Sequence, residues 1–218
     1  MFRFDGPFMQ KLNQLSGILY VHILAFIACI PVITAGASFT ALEYALLKIY
    51  REEDSDLTKT FFAAFVQNFK QATVLWFIYL LCGFFVVSDI VLLSQVDTDI
   101  NDFLMLGICM VSLLLVLNMT WGFMLLSRYC NSALQTFKYA FPVSLIYIAR
   151  TIPMLLMTMV PIVLTLWYIA YAPYIFVIGT LLSGYVRPRL CIKVLDGIES
   201  REKQMDTASK MTPREPGM

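Results

Sequence analysis

Charge is what this sequence has least of. Asp, Glu, Lys and Arg supply 14% of its 218 residues, against roughly 25% in soluble globular domains. That shortage excludes a soluble protein and a disordered chain. A net charge of +1 offers no basic footprint, so no nucleic-acid partner is expected. There is one histidine, His22, which excludes an all-histidine metal site and leaves a Ser-His-Asp triad implausible in lipid. The five cysteines (Cys29, Cys82, Cys109, Cys130, Cys191) form no C-x-x-C pair. They read as small, reduced apolar side chains, which rules out a secreted disulfide scaffold. Walker A and dinucleotide-binding glycine patterns are absent. The acidic run Glu52-Glu53-Asp54-Ser55-Asp56 lacks the glycine and the terminal glutamate of a calcium loop. Asn118-Met119-Thr120 fits a glycosylation sequon, but it lies inside an apolar stretch. The expectation is no enzyme, no cofactor and no metal.

What remains is apolar: 59% of the residues are hydrophobic. They gather in blocks free of charged side chains, namely Leu12 to Leu42, Gln71 to Ser88, Phe103 to Ser127, and Thr151 to Val186. About 20 apolar helical residues cross a bilayer. The first three blocks fit one helix each. The fourth is too long for one, and Ala172-Pro173 is its natural turn. The pattern predicts an all-α polytopic membrane bundle with five spans, at about 15–36, 71–94, 103–127, 151–171 and 173–194. Residues 1–197 then form a single membrane domain, and 198–218 a polar, frayed cytoplasmic tail. Met1 to Leu12 is expected on the outer surface.

Lys and Arg orient the spans. All of them except Arg3 and Lys11 fall between spans 1 and 2, between spans 3 and 4, or after span 5. By the positive-inside rule that face is cytoplasmic. With five spans the N-terminus is outside and the C-terminus inside, in a bacterial cell membrane. The 2–3 connection carries Asp97, Asp99 and Asp102 and faces out. Trp167, Tyr168, Tyr171 and Tyr174 crowd the outer 4–5 turn, as interfacial aromatics do. Ala35-Gly36-Ala37 looks like a signal-peptidase site. Cleavage there would expose every positive loop, so the segment reads as retained.

Two cytoplasmic connections have helical periodicity. In 57–71, Phe61, Phe62, Phe65 and Phe69 oppose Lys59, Gln67 and Lys70. In 128–141, Cys130, Ala133, Leu134, Phe137 and Phe141 oppose Asn131, Gln135 and Lys138. Both read as amphipathic helices in the interface plane, packing on the membrane or docking a partner. Phe39 to Tyr50 is a third helix, with Glu43 facing polar neighbours, or solvated, or paired with Lys48 and Arg51. Thr60 to Phe65 and Thr136 to Phe141 share T-F-x-x-A-F, a faint internal repeat of a kind transporters use.

Ionisable and polar groups inside spans are the default functional candidates. His22 in mid-span is either a proton relay or a neutral imidazole with one hydrogen-bond partner. Asp89, late in span 2, binds a cation or hydroxyl, or pairs with interfacial water. Asn118 in span 3 bonds another helix.

The segment Pro31-Val32-Ile33-Thr34-Ala35-Gly36-Ala37, then Thr40-Ala41-Leu42, Leu46-Leu47-Lys48, the acidic run, Phe61-Phe62, Phe65 and Asn68-Phe69-Lys70-Gln71-Ala72 resembles the YesL family of bacterial integral membrane proteins. Phe4-Asp5-Gly6-Pro7, Tyr185 and Arg187-Pro188 fit it too. The family's activity is undetermined. Its genes accompany carbohydrate importers of the ATP-binding cassette type and two-component sensors. The resemblance implies an accessory or regulatory role in saccharide import, with permease subunits or a sensor kinase as partners. A self-contained small-molecule transporter or channel is the alternative. Pro31, Thr34, Gly36, Phe61, Phe65, Asn68, Phe69, Lys70 and Phe137 are the partner-docking candidates. For the Pro31 to Ala37 stretch the competing reading is tight packing.

Overall fold

The computed structural model describes residues 7–51, 56–95, 101–129 and 132–211, and of these it is all helix and turn. Seven α-helices follow in order: α1 (Pro7–Ala28), α2 (Ala35–Tyr50), α3 (Leu57–Leu93), α4 (Asn101–Arg128), α5 (Ala133–Ile146), α6 (Ile148–Trp167) and α7 (Ala172–Met211). Among the described residues six segments are long and apolar enough to cross a membrane, where the sequence pattern has five. The additional one holds α2. The acidic run 52–55, the connection 96–100, Cys130, Asn131 and the ends of the chain lie outside the described residues.

α1 and α2 form a tight antiparallel hairpin. Pro31 is extended at φ −75° and ψ 120°, which ends the first helical run. A 3-10 turn at Val32–Thr34 reverses the chain. The Thr34 hydroxyl donates to the Ala28 carbonyl at 2.6 Å, and Ser38 Oγ donates to the Ala25 carbonyl at 2.8 Å. The block Leu12 to Leu42, which reads as one span and its exit, is therefore most of a helical pair.

α2 is the central helix, packed against α1, α3, α4 and α7. Its small residues Ala35, Gly36, Ala37, Ala41 and Ala45 are all buried. Small side chains let helix backbones approach closely, the usual basis of helix packing in lipid. At Gly36 the approach is closest, for a methyl there would overlap the Ala72 carbonyl oxygen and lie 2.7 Å from Trp76 Cβ. The Ala35-Gly36-Ala37 triplet is thus core.

The interfacial helix expected at 57–71 and the span at 71–94 are one element. α3 runs 37 residues without a break, about 55 Å at 1.5 Å per residue. No proline or turn sequence separates Lys70 from Gln71, so nothing stops the helix. Its first half buries Thr60, Phe61 and Ala64 in the bundle. Its second half exposes Phe77, Leu81, Phe84, Phe85 and Leu92.

The second connection is a separate helix. Ser132 accepts from the Gln135 amide, and the Gln135 side chain accepts from the Ser132 amide, so a capping box starts α5. Its buried face is Ala133, Thr136, Ala140 and Ser144, whereas Leu134 and Phe141 are exposed. The inward stripe is the small one. The T-F-x-x-A-F copies share buried Thr and Ala positions (Thr60 and Ala64, Thr136 and Ala140). They diverge afterwards, because α3 continues while α5 ends before Tyr147.

α6 and α7 form the last hairpin, joined by a 3-10 turn at Ile169–Tyr171. Trp167, Tyr168, Tyr171 and Tyr174 are all exposed there. α7 passes Pro188 without stopping and stays helical to Met211. The stretch from Glu199 to Met211, read as frayed, has a helical backbone.

Candidate functional site

The bundle buries a small set of polar side chains. The most charged group is Glu43 of α2 with Arg187 of α7. Glu43 is 3% exposed, and its Oε1 ion-pairs with an Arg187 terminal nitrogen. Glu43 Oε2 and Arg187 Nε are both buried with no hydrogen-bond partner among the described residues. A buried charge pair is costly unless its remaining lone pairs and protons are satisfied. The pair therefore has one donor and one acceptor free for a water or another small polar molecule.

Gly184 brings α7 close enough for this contact. A methyl there would overlap Ile18, lie 2.9 Å from His22 Cε1 and 3.2 Å from Leu46. His22 Nδ1 bonds the Ile18 carbonyl oxygen at 2.8 Å, one turn back in its own helix. The imidazole edge thus faces α7 one turn from Arg187. Cys191, a further turn along, has Sγ 3.4 Å from Met154 Sδ. His22, Glu43 and Arg187 gather where α1, α2 and α7 meet.

A second group joins α3, α4 and α5. Tyr79 donates its hydroxyl to Asn118 Oδ1 at 2.6 Å, and Asn118 Nδ2 donates to the Phe137 carbonyl at 3.0 Å. A third joins α4 to α6, where Trp121 Nε1 donates to Thr151 Oγ1 at 2.8 Å. At the charged end Asp196 bridges Arg51 at 3.1 Å and Arg128 at 3.5 Å. Arg189 lies over the Tyr185 ring, 3.5 Å from its centroid.

The structure separates the residues singled out in the sequence. Asn118 bonds Tyr79 of α3 and the Phe137 carbonyl of α5. His22 has its one partner and a place beside the ion pair. Asp89 is exposed near the C-terminal end of α3, away from both. Among the docking candidates, Gly36 and Phe61 are buried within this chain's own core. Phe65 is half-buried between Phe61 and Phe69, with ring centroids at 6.3 Å and 5.6 Å. Asn68 donates to the Ala64 carbonyl at 3.0 Å, and Thr34 closes the hairpin turn. Phe137 packs on Tyr79 at 5.6 Å. Pro31, Phe69 and Lys70 are exposed. Glu43 and Arg187 are the pair that sequence reasoning did not join. The usable signal was Glu43 as the lone acid between Lys11 and Lys48.

No group of three or more His, Cys, Asp or Glu able to hold a metal occurs among the described residues. Residues 18–90 match the model of a family described as "Protein of unknown function, DUF624". The match takes in α1 from Ile18, all of α2 and α3 to Ile90, hence His22 and Glu43 but not Arg187. No curated protein and no solved structure matches the chain.

Proposed function

We propose that this chain is a non-enzymatic accessory membrane protein of a carbohydrate importer of the ATP-binding cassette type, docking laterally through the outer halves of α3 and α4. The carbohydrate assignment rests on the YesL resemblance, with which a match to a family of unknown function is compatible. The observation that carries docking is the bare outer hairpin. Phe84, Phe85, Phe103, Leu106 and Met110 are exposed along it. Gly83 and Gly107 lie on the same stretch with nothing within 4 Å of an added Cβ. Open glycines on an apolar helix face permit close approach of another helix in lipid. In this reading the protein belongs to a bacterial cell membrane, with its C-terminal end in the cytoplasm.

The test is purification of the tagged full chain, in mild detergent, from cells expressing the permease subunits. Permease subunits co-purify, and Gly83→Leu with Gly107→Leu loses them while the chain stays folded. Recovery of the wild-type chain only as a monomer or homodimer counts against docking.

One observation favours a second reading, a small-molecule transporter. The free donor and acceptor of the Glu43–Arg187 pair are a polar point where three helices meet. Under that reading, uptake into proteoliposomes occurs with the purified chain alone and stops with Glu43→Gln.

A further inference from the structure

The α1–α2 hairpin has two chemically opposite ends. At one end Gly17 lies against Leu57 and Ile49, and the Tyr20 hydroxyl bonds Thr58 Oγ1 at 2.8 Å. The start of α1 is therefore beside the end of α2 and the start of α3. Lys11, Lys48, Arg51 and Lys59 belong to this end. At the other end Phe26, Ile27, Ile30, Val32 and Ile33 are exposed. No charged residue occurs from Leu12 to Leu42.

We infer that this hairpin crosses the bilayer and returns, entering and leaving from the face that carries the positive charges, with its apolar tip at the level of the aromatic turn before α7 and Lys11 on the same side as the C-terminal end of α7. Four observations support the arrangement. First, a contiguous exposed apolar tip is unfavourable in water and neutral in lipid. Second, backbone entering lipid must satisfy its own hydrogen bonds, and among the described residues the turn pairs every amide except those of Val32 and Ile33 at its tip. The Cys29 amide donates to the Ala25 carbonyl at 2.9 Å, that of Ile30 to Ile27 at 3.3 Å and that of Thr34 to Pro31 at 3.0 Å. The Thr34 and Ser38 hydroxyls cover the Ala28 and Ala25 carbonyls. Third, the hairpin reaches the far face, for Phe26 packs on Phe176 with ring centroids at 5.7 Å, one turn past the exposed aromatic turn that opens α7. Fourth, the charge asymmetry becomes complete. Five crossings leave Arg3 and Lys11 on the outer face. A hairpin returns them to the side of the others, so that no Lys or Arg is left to the outer face, the stronger form of the positive-inside pattern.

The experiment uses single added cysteines in the full chain: Lys11→Cys, Gln95→Cys and Ser200→Cys. An impermeant maleimide is applied to intact cells and to permeabilised ones, against the unaltered chain as background. Gln95→Cys labels in intact cells, whereas Lys11→Cys and Ser200→Cys label only after permeabilisation. Labelling of Lys11→Cys in intact cells at the rate of Gln95→Cys overturns the inference. A second measurement needs no substitution. A split fluorescent-protein fragment fused before Met1 is complemented by its cytoplasmic partner and lights up as the C-terminal fusion does. A dark N-terminal fusion beside a bright C-terminal one also overturns it. Neither result depends on whether an importer subunit is bound.

Discussion

Arg187 of α7 ion-pairs with Glu43 of α2 inside the bundle, with side chains 14% and 4% exposed. α7 is otherwise the helix most remote in sequence from α2, so this contact ties the last hairpin to the first. Removing one partner strands the other's charge. Loss of one member of a buried pair typically costs about 3–5 kcal/mol, while replacing both by apolar residues is often neutral or stabilising. Glu43→Met and Arg187→Met are each expected to destabilise the detergent-solubilised protein by that order. The double variant regains most of the loss. Denaturant unfolding of the four proteins measures it as a double-mutant cycle, and two additive losses would show that the pair is not coupled.

The Tyr79–Asn118–Phe137 chain predicts an asymmetry between two substitutions. Tyr79→Phe removes one bond and leaves buried Asn118 Oδ1 without its donor, while Nδ2 stays bonded to the Phe137 carbonyl. Interhelical hydrogen bonds in membranes average about 0.6 kcal/mol, and this variant loses one of them. Asn118→Leu removes both bonds at once and strands the Tyr79 hydroxyl, while the Phe137 carbonyl keeps its place in the α5 ladder; a buried unsatisfied group costs roughly 1–3 kcal/mol. Unfolding of the two variants in the same detergent should place Asn118→Leu well below Tyr79→Phe. Equal losses would mean the network is solvated.

The helices were legible in the sequence and their partners were not. Charge-free blocks marked the spans because lipid forbids unpaired charge, and that constraint is local in sequence. Which helix face turns inward is not local. In α5 the stripe of Ala133, Leu134, Phe137 and Phe141 read as the packing face; Ala133 is buried and Phe137 packs on Tyr79, but Leu134 and Phe141 are exposed, and Thr136, Ala140 and Ser144 complete the buried face. Lipid covers large apolar side chains as well as protein does, so hydrophobicity stops distinguishing core from surface and small size takes over. The same effect hid the fate of Glu43. Its neighbours Lys48 and Arg51 in the chain were the obvious counter-charges, but its partner lies far along the sequence across a contact that only Gly184 permits. The α1–α2 reversal was masked because Pro31 and Gly36 sit inside an uninterrupted apolar run.

Glycines separate packing from docking. Gly36 and Gly184 touch backbone or core atoms, whereas Gly83 and Gly107 face open space. Overpacking a dense core typically costs about 1–3 kcal/mol. Gly36→Val and Gly184→Val are expected to lower the folded yield and thermal stability in detergent. Gly83→Val and Gly107→Val leave both within error of the unaltered protein. A stability loss at Gly83 or Gly107 would mean those faces are already occupied within the chain.

Cysteine access gives an independent reading of the same two environments. Cys109 is exposed on α4, while Cys191 is fully buried beside Met154. A lipid-permeant maleimide should therefore reach Cys109 first and leave Cys191 unmodified on the same timescale. Met154 is itself fully buried in the cluster with Trp121, Leu125 and Leu195. Truncating a buried methionine to alanine costs roughly 2–5 kcal/mol and leaves a cavity where the neighbours cannot collapse. Met154→Ala opens that space directly against Cys191 Sγ, so it should speed labelling of Cys191 and leave the Cys109 rate unchanged. Mass spectrometry of the two cysteine peptides over time resolves the rates. Acceleration at both sites alike would report global loosening of the bundle, and no acceleration at Cys191 would place Met154 somewhere other than over the thiol.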